Sequence, residues 1–277
     1  MSAAASEASR AASERPILEA TGLAKSFGAV VAADDVNVAI PAGARLALIG
    51  ANGAGKTTFV NMVTGYLKPD HGTIRLDGED VTGRAPRRIT RAGMSRSFQI
   101  PQLCEPMTAI DNVLVAAGIA HPHTLSPFRP AHSRDAVDEA HAILRRFDLD
   151  EYADQPVSEL PGGVRKLVDI AMALACRPRV LLMDEPTSGV SSSEKFPLMD
   201  RVMKALEGEQ AAVIFVEHDM DIVTRYAARV LAFYSGRVIA DDAPDAVLAD
   251  DEVQRYVTGT ARGAGTRDRA TADGIAP

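Results

Sequence analysis

Three short runs of uninterrupted apolar residues set the frame of this chain: Leu46-Ala47-Leu48-Ile49, Val180 to Met183 and Ala211 to Val216. Bounded by polar or glycine-rich segments, such runs predict strands buried on both faces. Between them the apolar spacing becomes helical, over Thr57 to Tyr66, Ala109 to Ile119, Ser133 to Phe147, Gly162 to Cys176 and Glu194 to Leu206. Pro197 fits the first turn of the last of these. Ile17 to Leu23 and Val30 to Ile40 predict two strands joined by a turn at Phe27-Gly28, and Gly72 to Asp77 alternates like a strand with one exposed face. The charged segment Arg84 to Arg91 predicts a short surface helix, and Met94 to Gln99 a strand. Ile100 to Met107 carries two prolines and is expected to be irregular. Val230 to Tyr234 and Arg237 to Ala240 predict a hairpin about Ser235-Gly236, and Pro244 to Tyr256 an amphipathic helix.

Alternating strands and helices imply an α/β fold with a mostly parallel sheet flanked by helices. The strand-rich start adds an antiparallel subdomain. The helix-only stretch from about Ala109 to Glu159 adds an inserted α-helical subdomain, placed at about 85–165. Residues 16–258 form the expected domain. The Ala- and Ser-rich segment 1–15 and the segment 259–277 read as disordered tails.

Composition narrows the class. The 277 residues are 46% hydrophobic and 24% charged, enough for one large domain or two small ones. No window approaches 18 uninterrupted apolar residues, and the N-terminus lacks the apolar centre of a signal peptide. Two cysteines suggest no disulfide framework, which fits a cytoplasmic location. A net charge of −7 and a pI near 5.4 argue against a nucleic-acid partner. They leave open a partner with basic cytoplasmic loops, as membrane proteins commonly have.

The chemistry starts at Gly50-Ala51-Asn52-Gly53-Ala54-Gly55-Lys56-Thr57-Thr58, which fits the phosphate-loop pattern G-x-x-x-x-G-K-[ST]. A chance glycine-rich turn could carry the same letters. The apolar run before it and the helix after it supply the strand–loop–helix setting that phosphate binding needs. There the glycines let several N–H groups converge on one anion, and the helix N-terminus adds positive charge. Lys56 is expected at the β- and γ-phosphates and the Thr57 hydroxyl on Mg²⁺. A phosphate-loop NTPase core follows.

Asp184-Glu185 ends one of the buried runs. The pair could simply cap the next helix. Beside a phosphate loop, Asp184 would hold Mg²⁺ and Glu185 would act as general base on the attacking water. His218 ends another buried run at the same edge, where it could contact the γ-phosphate and orient Glu185. The remaining histidines read as structural. His121 and His123 hint at a metal, but no Cys or carboxylate cluster supports one.

With these residues in this order, the chain resembles the ATP-binding subunits of ABC transporters. The resemblance is carried by Gly50 to Thr58, Ser97-Phe98-Gln99, Leu160 to Leu167, Leu181 to Glu185, Ser188-Gly189-Val190 and Glu217-His218-Asp219. It covers nearly all of residues 17 to 257. Within the family the chain is most similar to the subunits of branched-chain (hydrophobic) amino-acid importers. Lys25-Ser26-Phe27-Gly28, Glu217-His218-Asp219-Met220 and Ala243-Pro244 to Tyr256 carry that closer match, with Ser97-Phe98-Gln99.

The resemblance implies ATP and Mg²⁺ as ligands. Phe27 would stack on adenine, unless it is a plain core aromatic. Gly50, Asn52, Gly53, Gly55, Lys56, Thr57 and Thr58 would hold the phosphates. Thr57, Gln99 and Asp184 would meet Mg²⁺, with Glu185 and His218 catalytic. Ile100 to Met107 would line a groove for the membrane subunit, so that substitutions there, Gln102 and Glu105 first, would uncouple transport yet spare ATP binding. It implies partners too: integral-membrane permease subunits, a second ATP-binding subunit and, indirectly, a solute-binding protein. The location implied is peripheral, on the inner face of the cell membrane.

Two departures qualify the match. The family signature L-S-G-G-Q reads here Leu160-Pro161-Gly162-Gly163-Val164, and Ser191 stands where the family usually has Asp. Pro161 lacks the hydroxyl that would bond the γ-phosphate on the opposite subunit, which favours a heterodimer with a subunit bearing an intact signature. Two other classes remain: a soluble ABC-type ATPase or regulator without a membrane partner, and an unrelated phosphate-loop kinase or GTPase. The second lacks an N-K-x-D guanine motif.

Overall fold

Strand β1 (Pro16–Phe27) pairs antiparallel with β2 (Val30–Pro41) across a turn where Gly28 takes a positive φ. The computed structural model that gives this fold describes residues 15–120 and 133–259. The expected tails (but for residues 15 and 259) and the loop with His121 and His123 lie outside the described residues. The chain continues through β3 (Arg45–Gly50), α1 (Lys56–Val63), β4 (His71–Leu76), β5 (Glu79–Asp80), α2 (Pro86–Arg91) and β6 (Met94–Ser97). Helices α3 (Ala109–Ala120), α4 (Arg134–Arg146) and α5 (Gly162–Ala175) precede β7 (Val180–Asp184), α6 (Lys195–Ala205), β8 (Ala212–Val216) and α7 (Met220–Tyr226). The hairpin β9 (Arg229–Tyr234) and β10 (Arg237–Asp242) and helix α8 (Pro244–Ala249) follow.

Two sheets result. The smaller has the order β2-β1-β4-β5 and is antiparallel. The larger has the order β10-β9-β3-β8-β7-β6; its strands run parallel except β10 at one edge. Side chains alternate across a strand, and here both faces are covered. Ala47, Ile49, Leu181, Met183, Val213 and Phe215 join one core, shared with α3, α4, α5 and α6. Leu46, Leu48, Val180, Leu182, Ile214 and Val216 join the other, under α1 and the antiparallel sheet. That is why the apolar runs are uninterrupted.

The register matters for function. Leu48 lies opposite Val216, Asp184 opposite Val216, and Ser97 opposite Met183. The carboxyl ends of β3, β6, β7 and β8 therefore finish at one edge, where open α/β sheets bind ligands.

Several elements differ from expectation. Helix α1 stops at Val63 rather than Tyr66, because Gly65 turns at φ +78° and a Cβ there would meet the Arg84 carbonyl at 2.3 Å. Strand β6 ends at Ser97, two residues early, where the Phe98 N–H leaves the ladder for the Asp169 carboxylate at 2.9 Å. Strand β1 runs on to Phe27, and β5 and α7 were not expected. The expected helix from Pro244 to Tyr256 breaks at Asp250, which is extended and caps a new turn through Glu252 and Val253 N–H.

Candidate active site

Between β3 and α1 the loop of residues 50–55 closes tightly on itself. Gly50 and Gly55 have φ of +151° and +109°, and a Cβ would meet Phe233 O at 2.5 Å and Ala32 O at 2.7 Å respectively. Only glycine fits both places. Asn52, Gly53 and Thr57 are exposed along this loop and Thr58 is half-buried. Lys56 opens α1 with 6% of its surface exposed; its Nζ donates to Gly50 O at 2.5 Å and to Ala51 O at 3.1 Å. Burial pulls this ammonium below the usual lysine pKa, and the nearby Glu185 and Asp184 carboxylates oppose the shift.

Across the edge, Gln99, Glu185 and His218 meet. Gln99 Nε2 donates to Glu185 Oε2 at 2.6 Å, and His218 Nε2 lies 3.0 Å from Glu185 Oε1. The carboxylate that follows β7 is thus held from both sides by two groups, one beyond the end of β6 and one beyond the end of β8. The Glu185 backbone sits at φ +47°, in the left-handed region. Asp184, next to it, pairs with Arg96 at 2.5 Å, and Arg96 also donates to Asn61 Oδ1 at 2.8 Å.

Three contributors were not anticipated. Lys166 on α5 donates to the Glu185 main-chain oxygen at 2.6 Å. Burial lowers its pKa, against the carboxylates of Glu217, Asp169, Glu185 and Asp184. Asp169, also on α5, accepts the N–H of Phe98 at 2.9 Å and of Gln102 at 3.2 Å, bracketing Gln99. Burial pushes its carboxyl up to about 6. Arg96 is the third. The signal available in the sequence was helical phase: Lys166 and Asp169 share a stripe with Ile170 and Ala173, buried neighbours.

Phe27 stands apart at the β1–β2 turn, 52% exposed, which excludes a core role. Pro161 is the N-cap of α5 and gives no side-chain cap. Neither Gly162 nor Gly163 has a positive φ, and a Cβ on either would meet nothing within 4 Å. The chain's own packing therefore does not explain those two glycines. Ser191 bonds Glu194 and, at 3.2 Å, Ser193, so it serves its own turn ahead of α6.

The donor set fits a nucleoside triphosphate with a hard cation. The loop admits no Cβ at Gly50 or Gly55, Lys56 brings an amine donor to its mouth, and Thr57, Gln99 and Asp184 offer oxygen ligands. Among the described residues no group of three or more His, Cys, Asp or Glu could hold a metal ion.

The sequence profile of the family described as ABC transporter matches residues 33–188, more than half of the chain. The chain belongs to the ABC transporter family. As an ABC protein it is an ATP-binding subunit with ATPase chemistry. It is 34% identical over 256 residues to the Pseudomonas aeruginosa high-affinity branched-chain amino acid transport ATP-binding protein BraF, covering 89% of this chain and 99% of that protein. It is 33% identical over 254 residues to Escherichia coli LivG, of the same description, with 89% and 99% covered. Among solved structures, a nucleotide-free ATP-binding cassette from an ABC transporter superposes with a TM-score of 0.76 at 31% identity, covering 86% of this chain and 97% of that one. The ADP conformation of an ABC-transporter cassette gives 0.75 at 30%, covering 87% and 97%. The α/β fold expected from the sequence is therefore the ABC cassette. Among the described residues no helix is long and apolar enough to cross a membrane.

Proposed function

We propose that this chain is the ATP-hydrolysing subunit of an importer of branched-chain amino acids or a related small organic solute. The relatives' descriptions and the near-complete coverage of their length support the substrate class. The observation that carries the catalytic reading is the Gln99–Glu185–His218 contact set beside the phosphate loop. Phosphate release from ATP and Mg²⁺ by the purified chain, with Glu185 varied, tests it.

In this reading the loop N–H groups and Lys56 bind the β- and γ-phosphates, Thr58 supports them, and Phe27 stacks on adenine. Thr57, Gln99 and Asp184 would hold Mg²⁺, which neutralises charge on the phosphates. Glu185 Oε takes a proton from the attacking water, oriented by Gln99 and His218. Residues 16–258 act as one ATP-binding domain, with the helical part at about 85–165 inserted.

A groove of about 220 Å³ beside this site supports a membrane partner. Tyr66, Arg96, Phe98, Gln102, Val115 and Ile119 line it. Tyr66, Val115 and Ile119 are large apolar side chains left exposed, a surface suited to an apolar helix of a permease subunit. The chain would then sit peripherally on the inner face of the membrane. Glu105, by contrast, pairs with Arg165 at 2.6 Å and does not line the groove. Ile119→Glu, which would bury a carboxylate against the partner, should lower copurification with permease subunits by about tenfold or more while ATP affinity stays unchanged. Undiminished copurification would place the docking surface elsewhere.

The uncapped start of α5 supports a second ATP-binding subunit. Gly162 and Gly163 leave room that this chain does not use, which suits a phosphate presented from outside. Pro161 supplies no hydroxyl there, so a homodimer would carry the deficit twice and a heterodimer once. The missing hydrogen bond to a charged oxygen is worth about 1.5–3 kcal/mol. Pro161 has φ −56° and ψ 150°, a backbone that serine adopts readily at an N-cap. Pro161→Ser should therefore raise ATP turnover of the purified protein by about ten- to a hundredfold. No gain, with dimerisation confirmed, would leave the glycines and the helix N-terminus sufficient by themselves.

A further inference from the structure

Helix α5 holds the segment that carries Gln99 and the backbone of Glu185. Asp169 holds the N–H groups of Phe98 and Gln102, on either side of Gln99. One turn earlier, Lys166 holds the backbone of Glu185 itself: its Nζ lies 2.6 Å from the main-chain oxygen, which also accepts the Ser188 N–H at 3.0 Å. Glu185 is at φ +47°, a conformation that crowds Cβ against the following carbonyl in L residues. Such a backbone persists only where its surroundings fix it. With the carbonyl pinned and the N–H donated to Val216 O at 3.1 Å, the direction in which the side chain leaves is set. That direction brings the carboxylate to Gln99 and His218.

We propose that Lys166 is a positioning residue for Glu185. Its ammonium fixes the Glu185 carbonyl and, through the left-handed backbone there, the place of the carboxylate. Because the same helix begins at Gly162 and Gly163, the geometry of the base is tied to where that helix start sits. The proposal rests on Glu185 being the general base. It goes beyond charge balance, which a buried ammonium among Asp184, Glu185, Asp169 and Glu217 could also provide.

The test compares two variants of the full chain, read by single-turnover hydrolysis at saturating ATP and Mg²⁺, by ATP titration and by thermal melting. Lys166→Met removes the donor and the charge but keeps the length and apolar stem. Lys166→Gln keeps an N–H donor without the charge. Positioning predicts a rate about ten- to a hundredfold lower in the Met variant, with ATP affinity within about twofold; the melting temperature falls as well, because the neighbouring carboxylates lose their cation, and the rate is read well below it. The Gln variant regains part of that rate. A wild-type rate in the Met variant, a loss carried by ATP affinity, or an equal loss in both variants overturns the proposal. If the Met variant does not fold, the Gln variant decides alone: because it keeps the donor, a loss of less than about tenfold at unchanged ATP affinity supports the proposal, and a wild-type rate, a larger loss or a loss carried by ATP affinity overturns it. Glu185→Gln measured alongside separates the two readings. Unchanged turnover there removes the general base and this proposal with it, whereas a collapse there with a normal Lys166→Met rate removes this proposal alone.

Discussion

Glu185→Gln lowers ATP turnover by about two to four orders of magnitude, the usual weight of a general base, while ATP still binds. The structure makes this substitution selective. The Glu185 carboxylate faces Gln99 at 2.6 Å and His218 at 3.0 Å, and an amide of the same shape can keep one acceptor oxygen in that position. The backbone contacts of the residue, to Val216, Ser188 and Lys166, do not involve the side chain and persist. What the amide cannot do is accept a proton from water. Lys56 and the loop N–H groups are untouched, so binding and hydrolysis separate. Phosphate release in a single turnover, alongside ATP titration, reads both. Near wild-type release from the variant would show that another group takes the proton.

The parts of this site that the sequence made legible are those whose chemistry is local. The loop of residues 50–58 states its own geometry, since positive φ at Gly50 and Gly55 and close backbone approach demand glycine wherever the loop lies. Asp184, Glu185 and His218 were legible one step further, through the rule that neighbouring parallel strands share an edge. The structure aligns those strand ends, and it brings Gln99 to Glu185.

What stayed hidden depends on packing that no local pattern encodes. Arg96 reaches Asp184 because β6 lies beside β7, although the two residues are far apart in the chain. Lys166 and Asp169 acquire roles from how α5 docks; their helical phase puts them on its buried stripe but does not say which groups they meet there. Helix α7 buries Ile222 and Val223 alone, too little for a helical period to show. Its start is set instead by the Asp219 side chain, which accepts the Asp221 N–H at 3.2 Å. The break at Asp250 has the same cause: a capping carboxylate outweighs an apolar stripe that would otherwise run on.

Lys56→Ala weakens nucleotide binding itself, by about one to two orders of magnitude for each charged hydrogen bond to phosphate that is lost. The ammonium is buried and held at the mouth of the loop by Gly50 O and Ala51 O, 2.5 and 3.1 Å away. Those two carbonyls fix where the charge sits, so little ordering remains to be done when a triphosphate arrives, and the pairing strength goes into affinity. Burial already disfavours the charged form of this lysine, with Glu185 and Asp184 opposing. An incoming phosphate, itself anionic, opposes that burial penalty further, so charge and ligand favour one another. Removing the side chain deletes a desolvated charge whose partners are main-chain oxygens, and leaves Gln99, Glu185 and His218 in contact. The variant therefore keeps its catalytic groups and loses its grip on the substrate, the reverse of Glu185→Gln. Titration with ATP, with and without Mg²⁺, distinguishes them: an unchanged dissociation constant in Lys56→Ala would mean that the loop of residues 50–58 does not hold the phosphates.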